Sequence, residues 1–193
     1  MIAKLEESGT QLIIGYDEIY FMNRRWPEFN YQVQFLYNNT NLLNNIDIWA
    51  ENDDTCGIIE LIYKVLTTNQ PDYWKNPSEP WFIVTIIPNS DFPEIGPKLF
   101  QQSTSLQTTL DHSSYEYFTV IASIDSRNFG GIDFESGNGL SLYLHVSKEK
   151  LEQFVLDLEK EFKFRWQEFI QKNNFNGDYP VKNYDYWKMK KEN

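Results

Sequence analysis

The chain has 193 residues, enough for one buried hydrophobic core, and its 17% aromatic content excludes a disordered composition. Its net charge of −11 excludes nucleic acid as an expected partner, because the phosphates would be repelled. The one cysteine excludes an internal disulfide, and no apolar run is long enough for a signal peptide or a membrane span, so we expect a cytoplasmic protein.

The first fifty residues are predicted to be mainly β-structure. Residues 2–16 suit a hairpin, because two short apolar segments flank Ser8 and Gly9, which are residue types that favour turns. Residues 31–37 alternate apolar and polar side chains, which predicts a half-buried strand. Pro27 is expected to break any strand between these two segments. An asparagine-rich turn and one further strand complete the region.

The first helix is predicted from about Thr55 to Thr68. Asp53 and Asp54 precede it, where a carboxylate can accept backbone N–H bonds and complement the helix dipole. Gly57 is a poor helix former, so it is expected to lower the stability of the helix near its start. The predicted buried face consists of Ile58, Ile59, Ile62, Val65 and Leu66.

The centre of the chain is predicted to contain three more strands. Residues 71–80 include three prolines and are expected to form a loop. The apolar run at residues 81–87 predicts a strand that is buried on both faces. Residues 113–125 and 139–146 predict a hairpin whose strands are joined by a long acidic, glycine-rich connection.

The longest helix is predicted after Ser147, whose hydroxyl suits an N-cap. Its apolar stripe would pack on the sheet while the opposite face stays exposed. A tail from about residue 172 is expected to be partly ordered. The predicted stripe is Leu151, Phe154, Val155, Leu158, Phe162, Trp166, Phe169 and Ile170, and the predicted exposed face is Glu152, Glu159, Lys160, Lys163 and Gln167.

The order of these elements predicts an α+β fold. We expect a mainly antiparallel sheet with two helices packed on it. No internal repeat or clear linker divides the chain, so a single domain over residues 1–193 is predicted.

No catalytic, metal-binding or cofactor-binding residue is predicted. His112, His145 and Cys56 lie in separate segments, whereas a zinc site needs three or four ligands at short spacing. The loop at residues 125–139 lacks the spacing of a calcium loop, and it leads into a strand, which does not suit phosphate binding. Cys56 is expected to be buried and inert. The sequence leaves one alternative open, a catalytic site formed by two carboxylates from distant strands.

The negative charge is concentrated in the middle of the chain. Residues 26–147 carry fifteen acidic and four basic side chains, whereas both flanking regions are nearly neutral. Such a field attracts a basic protein partner and disfavours nucleic acid, although solubility alone would also explain it. No contact with a membrane is expected. The candidate partner-binding residues are Asp53, Asp54, Asp125, Asp133 and Glu135.

Three short motifs resemble a known family. The motifs are "QLIIGY", "ELIYKVL" and "GLSLYLHVSKEKLEQFVLDLEKEF", in this order. The chain resembles the WapI-like immunity proteins of bacteria over roughly residues 10–164, but "DEIYFMNRRWPEFN" and the C-terminal tail depart from that family. The resemblance implies a small acidic cytoplasmic protein that neutralises a contact-delivered nuclease toxin and has no catalytic residues of its own.

Two functions therefore remain open, besides a structural or oligomerising module as a third interpretation. The first is a non-enzymatic acidic binding protein, an immunity protein that neutralises a basic nuclease-type toxin. The alternative is a small-ligand binder or a carboxylate-based enzyme with an aromatic-lined pocket, favoured by Trp49, Trp74 and Trp81 near predicted loops.

Overall fold

The computed structural model describes residues 2–22, 26–51, 57–75, 82–88, 116–125, 139–182 and 185–192. Eight strands and three helices are found in these ranges, which confirms the predicted α+β class. In chain order they are β1 (Ala3–Glu7), β2 (Thr10–Met22), β3 (Trp26–Tyr37), β4 (Thr40–Glu51), α1 (Gly57–Thr68), β5 (Asp72–Lys75), β6 (Phe82–Pro88), β7 (Tyr117–Asp125), β8 (Gly139–Ser147), α2 (Lys148–Asn173) and α3 (Tyr186–Glu192).

The strands form two antiparallel four-stranded sheets where the sequence predicted one. The first sheet has the order β1-β2-β3-β4 and the second has the order β5-β6-β7-β8. Each strand pairs with the strand that precedes it in its sheet, so neighbouring strands are also neighbours in sequence. Local turns and the connections between neighbouring strands therefore set the topology of both sheets.

Two tight turns shape the first sheet. Ser8 and Gly9 both adopt positive φ, of 49° and 79°, and join β1 to β2 in the predicted hairpin. Asn38 and Asn39 also adopt positive φ, and the predicted asparagine-rich turn joins β3 to β4 through them. Asparagine and glycine tolerate this left-handed conformation better than other residues, which explains their place at the turns.

Pro27 does not interrupt the strands as expected. It is the second residue of β3 and lies opposite Phe21 of β2. The described pairing of β3 with β4 ends at Glu28 opposite Glu51, so Pro27 lies just beyond that ladder. A proline is tolerated where a strand has a neighbour on one side only, because the missing N–H then leaves no broken ladder bond.

The second sheet corrects two predictions. Four residues of the predicted loop at 71–80 form strand β5, in which Trp74 pairs with Val84. Strand β6 has one buried face and one half-buried face, so the prediction of burial on both faces is wrong. Antiparallel sheets commonly pack on one face only, and β6 lies inside such a sheet.

The predicted hairpin of β7 and β8 is confirmed. The two strands pair from Tyr117 opposite Ser147 to Asp125 opposite Gly139. Alternate residues of β8 point into the core, and the residues between them are exposed. The buried residues are Leu142, Leu144 and Val146, and the exposed residues include Ser141, Tyr143 and His145.

Helix α1 ends at Thr68 as predicted, and its described part begins at Gly57. A Cβ atom on Gly57 would lie 1.8 Å from Nε1 of Trp74. The indole of Trp74 therefore occupies the space that any larger residue would need. The low helix propensity of Gly57 is thus offset by close packing between α1 and β5.

Helix α2 begins and packs as predicted. The Ser147 hydroxyl accepts a hydrogen bond from the backbone N–H of Lys150 at 3.4 Å, which confirms the N-cap. The apolar stripe from Leu151 to Phe169 is buried against β1, β2 and α1, and Ile170 is partly buried. The opposite face departs from the prediction, because Glu152 and Glu159 are each only 6% exposed.

The core joins both sheets and both long helices. The ring of Tyr31 in the first sheet lies 6.3 Å from that of Phe82 in the second sheet. In the tail, α3 was not predicted, and its Tyr186 is 5% exposed. Four further tail residues pack against the core, namely Phe175, Tyr179, Val181 and Trp187. The domain assignment over residues 1–193 stays a prediction.

Within the described ranges, no helix is both long enough and apolar enough to span a membrane.

Candidate functional site

Most of the predicted partner-binding residues lie outside the described residues. These are Asp53, Asp54, Asp133 and Glu135. Asp125 is the last residue of β7, and its backbone pairs with Gly139 of β8. The chain therefore enters and leaves the acidic segment 126–138 at adjacent points on one end of the second sheet.

The described residues that flank both acidic segments are linked by direct contacts. Gly57, the first described residue after Asp53 and Asp54, lies against the Trp74 indole. The Trp74 ring is 6.3 Å from the Phe82 ring, and Phe82 pairs with Ile124, the neighbour of Asp125. The fold thus brings the attachment points of two acidic segments to the same end of the second sheet. We call this end the Trp74 end.

The described acidic side chains in the middle of the chain are already engaged. Glu60 accepts a hydrogen bond from the backbone N–H of Lys182 at 2.9 Å. Asp72 pairs with Lys64 at 2.6 Å, and Glu116 pairs with Lys148.

Of the residues weighed for metal binding, His145 is described and His112 and Cys56 are not. His145 lies on the outer face of β8, where its ring stacks on Tyr117 with a centroid distance of 5.2 Å, so one face of the ring is covered. Partial burial lowers the pKa of His145, and the Glu7 carboxylate opposes this effect. Among the described residues, no group of three potential metal ligands occurs.

A second candidate site is built around a bulge in β2. Tyr16 pairs with Tyr31 and Ile19 pairs with Phe29, so Asp17 and Glu18 together oppose Asn30. Two residues against one is the pattern of a β-bulge, which redirects side chains and is frequent beside functional sites. The consecutive acidic pair in "GYDEIY" interrupts the apolar alternation and was the available sequence signal, but it was not used in the prediction.

Helix α2 holds the backbone of this bulge from both sides. The Tyr16 N–H donates to Oε1 of Glu161 at 3.3 Å, and Nε of Arg165 donates to the Tyr16 carbonyl at 3.1 Å. Burial raises the pKa of Glu161, while the Tyr16 N–H acts in the opposite direction. Lys172 at the end of α2 pairs with Glu18 and lowers the pKa of that exposed carboxyl.

The bulge borders a cleft of about 370 Å³ between β2, β3 and α2. We call it the bulge cleft. Its lining is polar and contains one aromatic residue, so it does not match the aromatic-lined pocket of the alternative function. The lining residues are Asp17, Glu18, Tyr20, Asn30 and Arg165.

Buried carboxylates on α2 form a third polar cluster, which involves the tail. Glu159 accepts a hydrogen bond from the Tyr63 hydroxyl at 2.5 Å and pairs with Lys163, one helical turn further along α2, at 2.7 Å. Glu152 accepts from the Tyr186 hydroxyl and pairs with Lys190. All of these partners belong to the chain itself. We therefore assign the cluster a structural role, which is to hold the tail against α2.

No family model matches the chain, and no match is found among curated proteins or among solved structures. The resemblance to the WapI-like family therefore stays a prediction from three short motifs.

Proposed function

We propose that this chain is a non-enzymatic acidic binding protein that acts as an immunity protein in the cytoplasm. Its partner would be a basic toxin of the nuclease type. The observation that carries the proposal is the Trp74 end, where Gly57 and Asp125 attach two acidic segments to one end of the second sheet.

The charge distribution supports a basic partner. Residues 26–147 hold fifteen acidic side chains and four basic ones, and the described acidic side chains of this region already have partners. Complementary charge accelerates encounter and discriminates against wrong partners, and a toxin that binds nucleic acid would present a basic surface.

The resemblance to WapI-like immunity proteins supports the same function and adds the class of partner. Such a protein acts by occupying a surface of the toxin, so no catalytic residue, metal or cofactor enters the proposal. Affinity would come from apolar contacts as well as charge, because electrostatic attraction governs association rate more than final affinity.

The test is protection of cells against the toxin that is encoded beside this gene. The toxin would be expressed from an inducible promoter together with the wild-type chain or with a neutralised variant. The variant combines five changes at the predicted residues, namely Asp53→Asn, Asp54→Asn, Asp125→Asn, Asp133→Asn and Glu135→Gln. We expect the wild-type chain to protect and this variant to lose protection.

A matched control removes the same number of carboxylates from exposed or half-exposed positions outside residues 26–147. Its changes are Glu6→Gln, Glu149→Gln, Asp157→Asn, Asp178→Asn and Asp185→Asn. This control should protect as well as the wild-type chain. Equal protection by both variants, or a gene neighbourhood without a toxin, would contradict the proposal. With purified proteins, association should slow as salt is added.

A further inference from the structure

The bulge cleft is separate from the Trp74 end and has no role in the proposed function so far. It lies between the first sheet and α2, whereas the predicted partner-binding residues attach to the second sheet and α1. Its charged groups differ in whether they already have a partner of opposite charge. This difference indicates what the cleft could bind.

Most of the charge around the cleft is already paired. Glu18 pairs with Lys172, and Nη1 of Arg165 lies 3.1 Å from Glu168. The Nε of Arg165 also donates to the carbonyl of Tyr16. Arg165 is therefore engaged with groups of this chain, and an anionic ligand would have to compete with Glu168 for it.

Asp17 is the exception. Its Oδ2 accepts a hydrogen bond from the uncharged amide of Gln32 at 3.2 Å, and no cation pairs with Asp17 among the described residues. Across the bulge, Oδ1 of Asn30 is buried and has no hydrogen-bond partner in the described part of the chain. A buried acceptor without a donor is costly, so a ligand that supplies N–H groups would be stabilised beside it.

We propose that the bulge cleft binds one guanidinium or ammonium group, with Asp17 supplying the opposing charge and Asn30 a neutral acceptor. Both cations carry several N–H donors, which suits two acceptors that differ in charge. In the protein's function, the group would be an arginine or lysine side chain of the basic partner. The identification of the cation as a side chain of the partner rests on the proposed function. Binding of an isolated guanidinium or ammonium group to the cleft does not depend on that function.

The first experiment needs no variant. The wild-type chain would be titrated with Nα-acetyl-arginine amide and, separately, with Nα-acetyl-citrulline amide, and backbone amide shifts would be followed by NMR. Citrulline has nearly the shape of arginine but no charge. We expect saturable shifts at residues 16–20 and 30 with the arginine probe, and binding weaker by about tenfold or more with the citrulline probe.

The second experiment uses Asp17→Asn, which removes the charge and keeps an acceptor for Gln32. It should weaken binding of the arginine probe by about tenfold. The matched control is Asp178→Asn, an exposed carboxylate in the tail, which should leave the affinity unchanged. Equal affinity for the two probes, shifts elsewhere, or undiminished binding by Asp17→Asn would each overturn the inference.

The outcome can be separated from that of the proposed function. If the arginine probe binds in the cleft but the chain gives no protection against a toxin, the cleft is supported and the immunity function fails. If the chain protects but the probe does not bind, the immunity function is supported and the cleft inference fails.

Discussion

The hydroxyl of Tyr63 on α1 donates a hydrogen bond to the carboxylate of Glu159 on α2 across 2.5 Å. The same hydroxyl accepts a hydrogen bond from the indole N–H of Trp187 in α3 at 3.0 Å. Burial raises the pKa of Tyr63, and the neighbouring Glu159 raises it further, so the hydroxyl keeps its proton at neutral pH. One tyrosine therefore connects α1, α2 and α3.

Replacing Tyr63 by phenylalanine should destabilise the fold. Tyr63→Phe leaves a buried oxygen of Glu159 without its donor and the Trp187 N–H without its acceptor. The expected loss in free energy of unfolding is about 1–3 kcal/mol, measured by urea denaturation. Tyr143→Phe is the control, because Tyr143 is 66% exposed. Equal losses in the two variants would show that the hydroxyl of Tyr63 contributes nothing specific.

The two partners of Glu152 should contribute unequally. Tyr186 is buried, so Tyr186→Phe should cost about 1–3 kcal/mol of unfolding free energy. Lys190 is half exposed, so Lys190→Ala should cost less than about 1 kcal/mol. Thermal unfolding of both variants at the same pH would measure the difference. A larger effect for Lys190 would mean that the ion pair, rather than the hydrogen bond, fastens α3.

Glu161 should make stability depend on pH. Burial raises the pKa of Glu161 above its ordinary value of 4.5, so the folded state holds this proton more tightly than the unfolded state. The resulting stabilisation is complete below the unfolded pKa and is lost as pH rises through the folded pKa.

Glu161→Gln should therefore remove part of the decline in unfolding free energy as pH rises from 4.5 towards neutral. Glutamine can still accept the Tyr16 N–H, so the contact with the bulge is retained. Denaturant titrations across this pH range would measure the slope, with Asp178→Asn as an exposed control. An unchanged slope in Glu161→Gln would contradict the assignment.

Gly57→Ala should destabilise the protein although alanine favours helices. The added Cβ would meet the Trp74 indole, and we expect overpacking to cost about 1–3 kcal/mol. Over most of this range the loss is larger than the gain in helix propensity of about 1 kcal/mol. Gly15→Ala is the control, because its Cβ would have Ile2 at an ordinary 3.6 Å. Thermal unfolding and tryptophan fluorescence would report stability and the displacement of Trp74.

Local sequence patterns were sufficient for several elements. The hairpin at Ser8 and Gly9, the asparagine turn, the pairing of β7 with β8 and the N-cap at Ser147 were all predicted and are confirmed. These features depend on the conformational preferences of a few neighbouring residues and on alternating burial. Turn preferences and alternating burial can both be recognised from a short stretch of sequence.

The errors share a different cause. Glu152 and Glu159 were predicted to be exposed because carboxylates on a helix usually face solvent. Their partners Tyr186 and Tyr63 lie 34 and 96 residues away, so no local window contains the pair. Strand β5 was missed for the same reason, since its proline-rich surroundings indicated a loop and its pairing partner β6 lies beyond them.

The charge excess in the middle of the chain and the α+β class are properties of the sequence itself, because they follow from composition and short-range pattern. The bulge cleft, the Trp74 end and the buried carboxylate contacts exist only in the folded chain. Each depends on side chains from separate elements, and only tertiary packing sets the distances and burial that give Asp17, Trp74 and Glu159 their surroundings.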